Sequence, residues 1–150
     1  MRTRIFASCF LFLMVTMVSA PWLESEADQG VPHFNEHAPA AGTELAPILG
    51  KDQLWGTNAQ FPYQTHAYEL AAKIPKVLYQ QPCYCYCDRG HGHKSLRSCF
   101  QDTHGATCAA CMKEVFYTDQ MLKQKKTPAQ IRAGIIKGDW QQIDLEKMGQ

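Results

Sequence analysis

Pro82-Cys83-Tyr84-Cys85-Tyr86-Cys87 is the stretch on which the fold and the chemistry turn. Cys99, Cys108 and Cys111 follow, so six of the seven cysteines in this 150-residue chain fall between residues 83 and 111. A domain stapled throughout by disulfides would spread its cysteines; this chain gathers them at one place, which points to one site. In a flat strand, residues i and i+2 share a face about 6.8 Å apart. Two sulfurs bound to one tetrahedral zinc ion are only about 3.8 Å apart. A straight run therefore cannot offer three sulfurs to one ion. Either the run is tightly bent, or it feeds a multi-ion thiolate cluster, or each cysteine pairs elsewhere. Gly90 and Gly92 allow the chain to turn back toward Cys99.

His91, His93 and His104 lie in the same segment, with Asp88 and Asp102 as harder, weaker candidates. The candidate metal ligands are thus Cys83, Cys85, Cys87, Cys99, Cys108 and Cys111, completed by His91, His93 or His104. Thiolate with imidazole suits soft or borderline ions, Cu(I) or Zn, and not Mg or Ca. Cys108-Ala-Ala-Cys111 has metal-loop spacing. At a helix start, both of its sulfurs share one face near the positive end of the dipole, which also favours thiol-disulfide exchange. Three readings of the cluster stay open at this level: a metal-thiolate site, three structural disulfides, or a redox-active dithiol at Cys108 and Cys111. Haem attachment is excluded because Met112, not histidine, follows Cys111.

Downstream of the cluster, Cys108 to about Lys126 reads as a helix with Cys108, Cys111, Met112, Val115, Phe116 and Leu122 on one arc. Lys113, Glu114, Gln120, Lys123 and Gln124 fall outside that arc, and Asp119 falls within it. A second helix is announced by Thr127 as N-cap, Pro128 at its first position and Gln130 completing a capping box, with Gly138 to end it. Trp140, Ile143 and Leu145 are expected to fold back as a short C-terminal piece. Upstream, Tyr63, His66, Ala67, Leu70, Ala71 and Ile74 trace a helical face that Pro75 ends or kinks, with His66 as a packed core histidine. Lys76 to Gln81 is ambiguous between a helical turn and an extended run. The expected architecture is a small, mainly α domain around a Cys-rich loop and hairpin, over residues 61–150.

Residues 28–60 read as a flexible, disordered arm, rich in proline and glycine and without a periodic apolar pattern. Trp55, Phe61 and Tyr63 are expected to mark where it docks on the core. Residues 1–27 have the form of a signal peptide: two arginines, an apolar run from Ile5 to Val18, and a small-x-small site at Ser25-Glu26-Ala27. The expectation is export to the periplasm or another extracytoplasmic space, with membrane attachment only if this segment is retained. Cys9 lies inside the apolar run and is not placed for lipid attachment.

The formal net charge of +1 provides no long-range field to attract nucleic acid. No internal repeat, phosphate loop, Ser-His-Asp order or paired-carboxylate pattern stands out. Composition and motifs thus leave a metal ion as the expected partner, with another exported protein as the second candidate.

Pro82-Cys83-Tyr84-Cys85-Tyr86-Cys87 resembles the motif that names the PCYCGC family of exported bacterial proteins, with Tyr86 where the name motif has glycine. The resemblance runs through Gly92-His93-Lys94-Ser95-Leu96, Cys99-Phe100, His104, Cys108, Cys111 and the Thr127 to Arg132 helix start, over roughly residues 61–140. It implies an exported protein with a Cys site and carries no established activity. A looser likeness, confined to residues 108–138, is to bacterial cytochrome c-maturation thiol reductases, which also place C-x-x-C before a helical hairpin. It would imply that Cys108 or Cys111 attacks a partner's disulfide while the other resolves it.

Overall fold

A computed structural model describes residues 30–149. The signal-peptide reading falls on residues outside this range. The structure is mainly helical, without strands among the described residues. Among the described residues there are six α-helices: α1 (Pro62–Lys73), α2 (Pro75–Leu78), α3 (Cys87–Gly90), α4 (His104–Thr107), α5 (Ala109–Lys123) and α6 (Pro128–Lys137). Short 3-10 turns punctuate them, including Leu96–Phe100, Asp139–Gln142 and Leu145–Gly149. None of these helices is long and apolar enough to cross a membrane.

The core lies between α1 and α5, where Ala67, Tyr68 and Ala71 meet the buried Met112, Val115 and Phe116. Ile131 and Ile135 of α6 close one side, and Leu78, Leu96 and Phe100 another. His66 packs edge-on to Phe116 at 5.3 Å, and its Nδ1–H donates to the Met148 carbonyl at 2.5 Å. Helix α6 has the caps its sequence announces. Thr127 Oγ1 accepts from the Gln130 amide, Gln130 Oε1 accepts from the Thr127 amide, and Gly138 ends the helix at φ +83°. The ambiguous stretch after Pro75 is a single helical turn. The chain beyond Gly138 does fold back, burying Ile143 and laying the last turn on α1.

Two expectations are corrected. Of the three aromatics, Tyr63 packs against the core, but Trp55 and Phe61 are 78% and 44% exposed, and Leu54 beside Trp55 is the buried residue. An aromatic side chain is not by itself an anchor when the backbone before a 3-10 turn aims it outward. Glu114, placed outside the apolar arc, is nonetheless interior. It is 0% exposed, because α5 is covered on more than one side, by α1, α6 and the Cys-rich loops. Asp119, which lies within the apolar arc, instead pairs with Lys123 at 2.7 Å.

The segment before α1 is irregular apart from two short 3-10 turns, as its proline and glycine content implies. It is also tied to the domain. The Leu49 amide donates to the Phe100 carbonyl, Arg97 to the Ala46 carbonyl, and the His33 amide to Asp88 Oδ2 at 2.9 Å.

Gly105 lies where the site meets the core. A Cβ there would sit 2.8 Å from the Cys99 carbonyl oxygen and 2.9 Å from the Phe100 ring. Gly105→Ala is expected to destabilise the protein by about 1–3 kcal/mol through overpacking. Gly90→Ala, into open space, should cost well under that. Urea unfolding of the two variants checks the contrast.

Candidate metal centre

The Cys-x-Cys-x-Cys run is bent, not flat. The Tyr86 amide donates to the Cys83 carbonyl at 3.1 Å, and Tyr86 itself takes the left-handed conformation at φ +56°. For a residue with a Cβ this costs about 1–2 kcal/mol. Contacts on the Tyr86 ring help to offset it: Tyr84 lies edge-on at 5.7 Å and the Arg89 guanidinium lies 4.3 Å above its centroid. The bend brings the Sγ atoms of Cys83 and Cys85 to 3.4 Å, half the spacing of a flat strand. Cys87 then opens α3, and the His91 amide returns to the Cys87 carbonyl at 2.8 Å. Gly92, at φ +67°, reverses the chain toward Cys99 in the 3-10 turn Leu96–Phe100.

The other ligands come from separate elements. Tyr68 anchors the loop before α4: its hydroxyl donates to the Asp102 carbonyl at 2.6 Å and accepts from the Ala106 amide. Asp102 Oδ1 accepts from the His104 amide at 2.7 Å and so starts α4. Cys108 is the N-cap of α5, and Cys111 lies in its first turn, fully buried.

These elements converge. Cys111 Sγ lies 3.3 Å from Cys83 Sγ and 3.6 Å from Cys85 Sγ. Cys87 and Cys99 are 3.3 Å apart, His93 Nδ1 is 3.4 Å from Cys99 Sγ, and His104 Nε2 is 3.6 Å from Cys85 Sγ. None of the six described cysteines is joined in a disulfide. Three four-residue groups have ligand atoms mutually within 4.8 Å: Cys83, Cys85, Cys87 and Cys99; Cys85, His104, Cys108 and Cys111; and Cys87, His93, Cys99 and His104. Eight of the nine candidate ligands are therefore brought together. His91 is exposed and belongs to none of the three groups, although its ring lies 4.8 Å from that of His104 and 5.6 Å from that of His93. Asp88 and Asp102 are also outside them, each engaged instead with a backbone amide.

The thiols share protons unequally. Contacts with Cys108, Cys111 and Cys83 hold Cys85 far below the usual thiol range. Cys99 is lowered to about 3 by Cys111 and Cys83. Cys83 is raised, by its contacts with Cys111 and Cys85 before all else. The Cys99 sulfur in turn raises His93. Against a lowering contact from Cys111, the neighbouring Cys85 and burial raise Cys108 to about 11.

Glu114 was not among the ligand candidates, yet it is built into the site. Its Oε1 accepts from the Tyr84 amide at 2.8 Å, which fixes the middle of the cysteine run to α5. Burial holds its carboxyl well above the usual range, so it is neutral. Its sequence signal is slight: it lies three residues beyond Cys111, on an adjoining strip of the same helix.

A family model described as "Protein of unknown function with PCYCGC motif" matches residues 25–142. The chain belongs to the PCYCGC-motif family. In this member the glycine of the name motif is replaced by Tyr86, and the positive φ there is the conformation a glycine adopts without penalty. No curated protein and no solved structure matches the chain.

Proposed function

We propose that this PCYCGC-family protein binds a soft metal ion, Cu(I) or Zn(II), through its Cys/His cluster, and acts outside the cytoplasm as a metal carrier or buffer. The observation that carries the reading is the sharing of neighbours among the sulfurs. Cys83 touches both Cys85 and Cys111, and Cys85 touches both Cys83 and Cys111. Three structural disulfides would need three exclusive pairs, whereas a metal-thiolate centre needs several sulfurs around common points. The thiolate-rich donor set favours Cu(I), with Zn(II) close behind. The form of residues 1–27 supports export, and delivery to another exported protein would be the use of a carrier.

Loading reduced protein with Cu(I) or Zn(II), followed by native mass spectrometry, tests this. Retained ions that are lost from Cys83→Ser, Cys99→Ser and Cys111→Ser support the reading. A mass lowered by three disulfides in protein taken from its own compartment, with no ion taken up after reduction, overturns it.

His91 supplies a sharper comparison. Because its ring lies outside all three ligand groups, His91→Ala is expected to keep the ion count and to change affinity only slightly. His104→Ala should weaken binding by at least about tenfold, since even an outer-shell loss commonly costs that much. Competition against a chromophoric chelator measures both.

A further inference from the structure

We infer that the centre is binuclear, with two metal ions bridged by the Cys85 thiolate; one ion is held by Cys83, Cys85, Cys87 and Cys99, the other by Cys85, His104, Cys108 and Cys111. This rests on the metal-binding function proposed above and adds the number of ions and the atom that joins them.

The argument starts from how the three ligand groups overlap. A tetrahedral soft ion takes four ligands. Filling the first group leaves His104, Cys108 and Cys111 as three ligands of the second, lacking only Cys85. The two groups share Cys85 and nothing else. Cys85 Sγ touches both sides, 3.4 Å from Cys83 Sγ in the first group and 3.6 Å from both Cys111 Sγ and His104 Nε2 in the second.

The third group cannot be filled beside them. It takes Cys87 and Cys99 from the first group and His104 from the second. A thiolate sulfur has lone pairs enough to bind two ions, but a neutral imidazole has one free ring lone pair and serves one. Sulfur is therefore the available bridge, and Cys85 is the sulfur that the two compatible groups have in common. His93 is left beside Cys99 at 3.4 Å, as a hydrogen-bonding neighbour and not a required ligand.

A single four-ligand ion at the first group would leave Cys108 and Cys111 idle, with Cys111 Sγ 3.3 Å from the ligand Cys83. Two ions give every cysteine of the segment a bond. The bend at Tyr86 follows the same logic, since it holds Cys85 Sγ 3.4 Å from Cys83 Sγ while leaving it 3.6 Å from Cys111 Sγ on α5.

Zinc titration followed by native mass spectrometry counts the ions, and NMR of the cadmium-loaded protein reads the bridge. Two nuclei bonded to one sulfur show cadmium–cadmium scalar coupling. Wild-type protein is expected to take up two Zn(II) ions and, loaded with Cd(II), to show that coupling. Cys108→Ser, which leaves the first group intact, should lose one ion and the coupling, and Cys85→Ser, which takes a ligand from both groups, should abolish the coupling. His93→Ala should keep both ions and the coupling. One ion in the wild type, or two without coupling, overturns the binuclear assignment while leaving metal binding standing. Loss of an ion from His93→Ala overturns it too, because the third group would then be in use. No bound ion at all fails both proposals.

Discussion

Stripping Zn(II) or Cu(I) from protein loaded with it in reductant is expected, on the proposed function, to lower the unfolding free energy by at least about 4 kcal/mol, the linkage value when free ion stands a thousandfold above its dissociation constant. The ligands hold the fold at its joints. The cysteine run, the 3-10 turn Leu96–Phe100, α4 and the start of α5 meet chiefly through the cluster and the core directly beneath it. With the ion present, those four segments are cross-linked; without it, thiols and imidazoles remain packed against one another with little to replace the bonds. Urea unfolding with and without chelator, in constant reductant, measures the difference. An unchanged midpoint would mean that the cluster contributes nothing through a metal.

The same ligand set dictates a pH dependence. Metal binding needs thiolates, and Cys83 is held protonated in the metal-free protein by its contacts with Cys111 and Cys85. Loading at neutral pH must therefore release protons, and affinity must rise with pH and fall on acidification. Cys99, lowered to about 3, has no proton to lose at neutral pH and should not contribute to the release. Titration in weak buffer reads the proton count directly.

Glu114→Ala is the second large effect, expected to cost about 3 kcal/mol. It leaves the part-buried Tyr84 amide without its acceptor, itself a loss of about 1–3 kcal/mol. It also opens a cavity beneath the cysteine run. Because burial keeps the carboxyl neutral, Glu114→Gln preserves both shape and acceptor, and should cost less than about 1 kcal/mol. Metal affinity should follow the same order, with a loss of about 10–100-fold for alanine and little for glutamine, since Glu114 acts by positioning a ligand-bearing loop. If glutamine proves as damaging as alanine, a negative charge is what the site requires, and the neutral assignment is wrong.

Much of this fold is written locally. The capping box from Thr127 to Gln130, Pro128 at the first helical position and the left-handed Gly138 delimit α6 from its own few residues. Pro75 separates α1 from α2 for an equally local reason, the missing amide hydrogen. The ligand set was legible for a different reason: thiols and imidazoles crowded into one segment have few other uses. Burial was harder to read. Glu114 is polar and sits off the apolar arc, and only the arrangement of neighbours around α5 makes its position interior. Trp55 errs in the opposite sense, a large aromatic left in solvent by the course of the backbone.

Composition and spacing alone determined that this chain is mainly helical and concentrates its reactive side chains between residues 83 and 111. Which sulfur approaches which was decided in three dimensions. The turn at Tyr86 and the docking of α4 and α5 bring together atoms up to 28 positions apart, such as Cys83 and Cys111. Helix starts and stops are set by hydrogen bonds a few residues long, so sequence reports them; the meeting of distant ligands depends on how whole elements pack, which no single segment encodes.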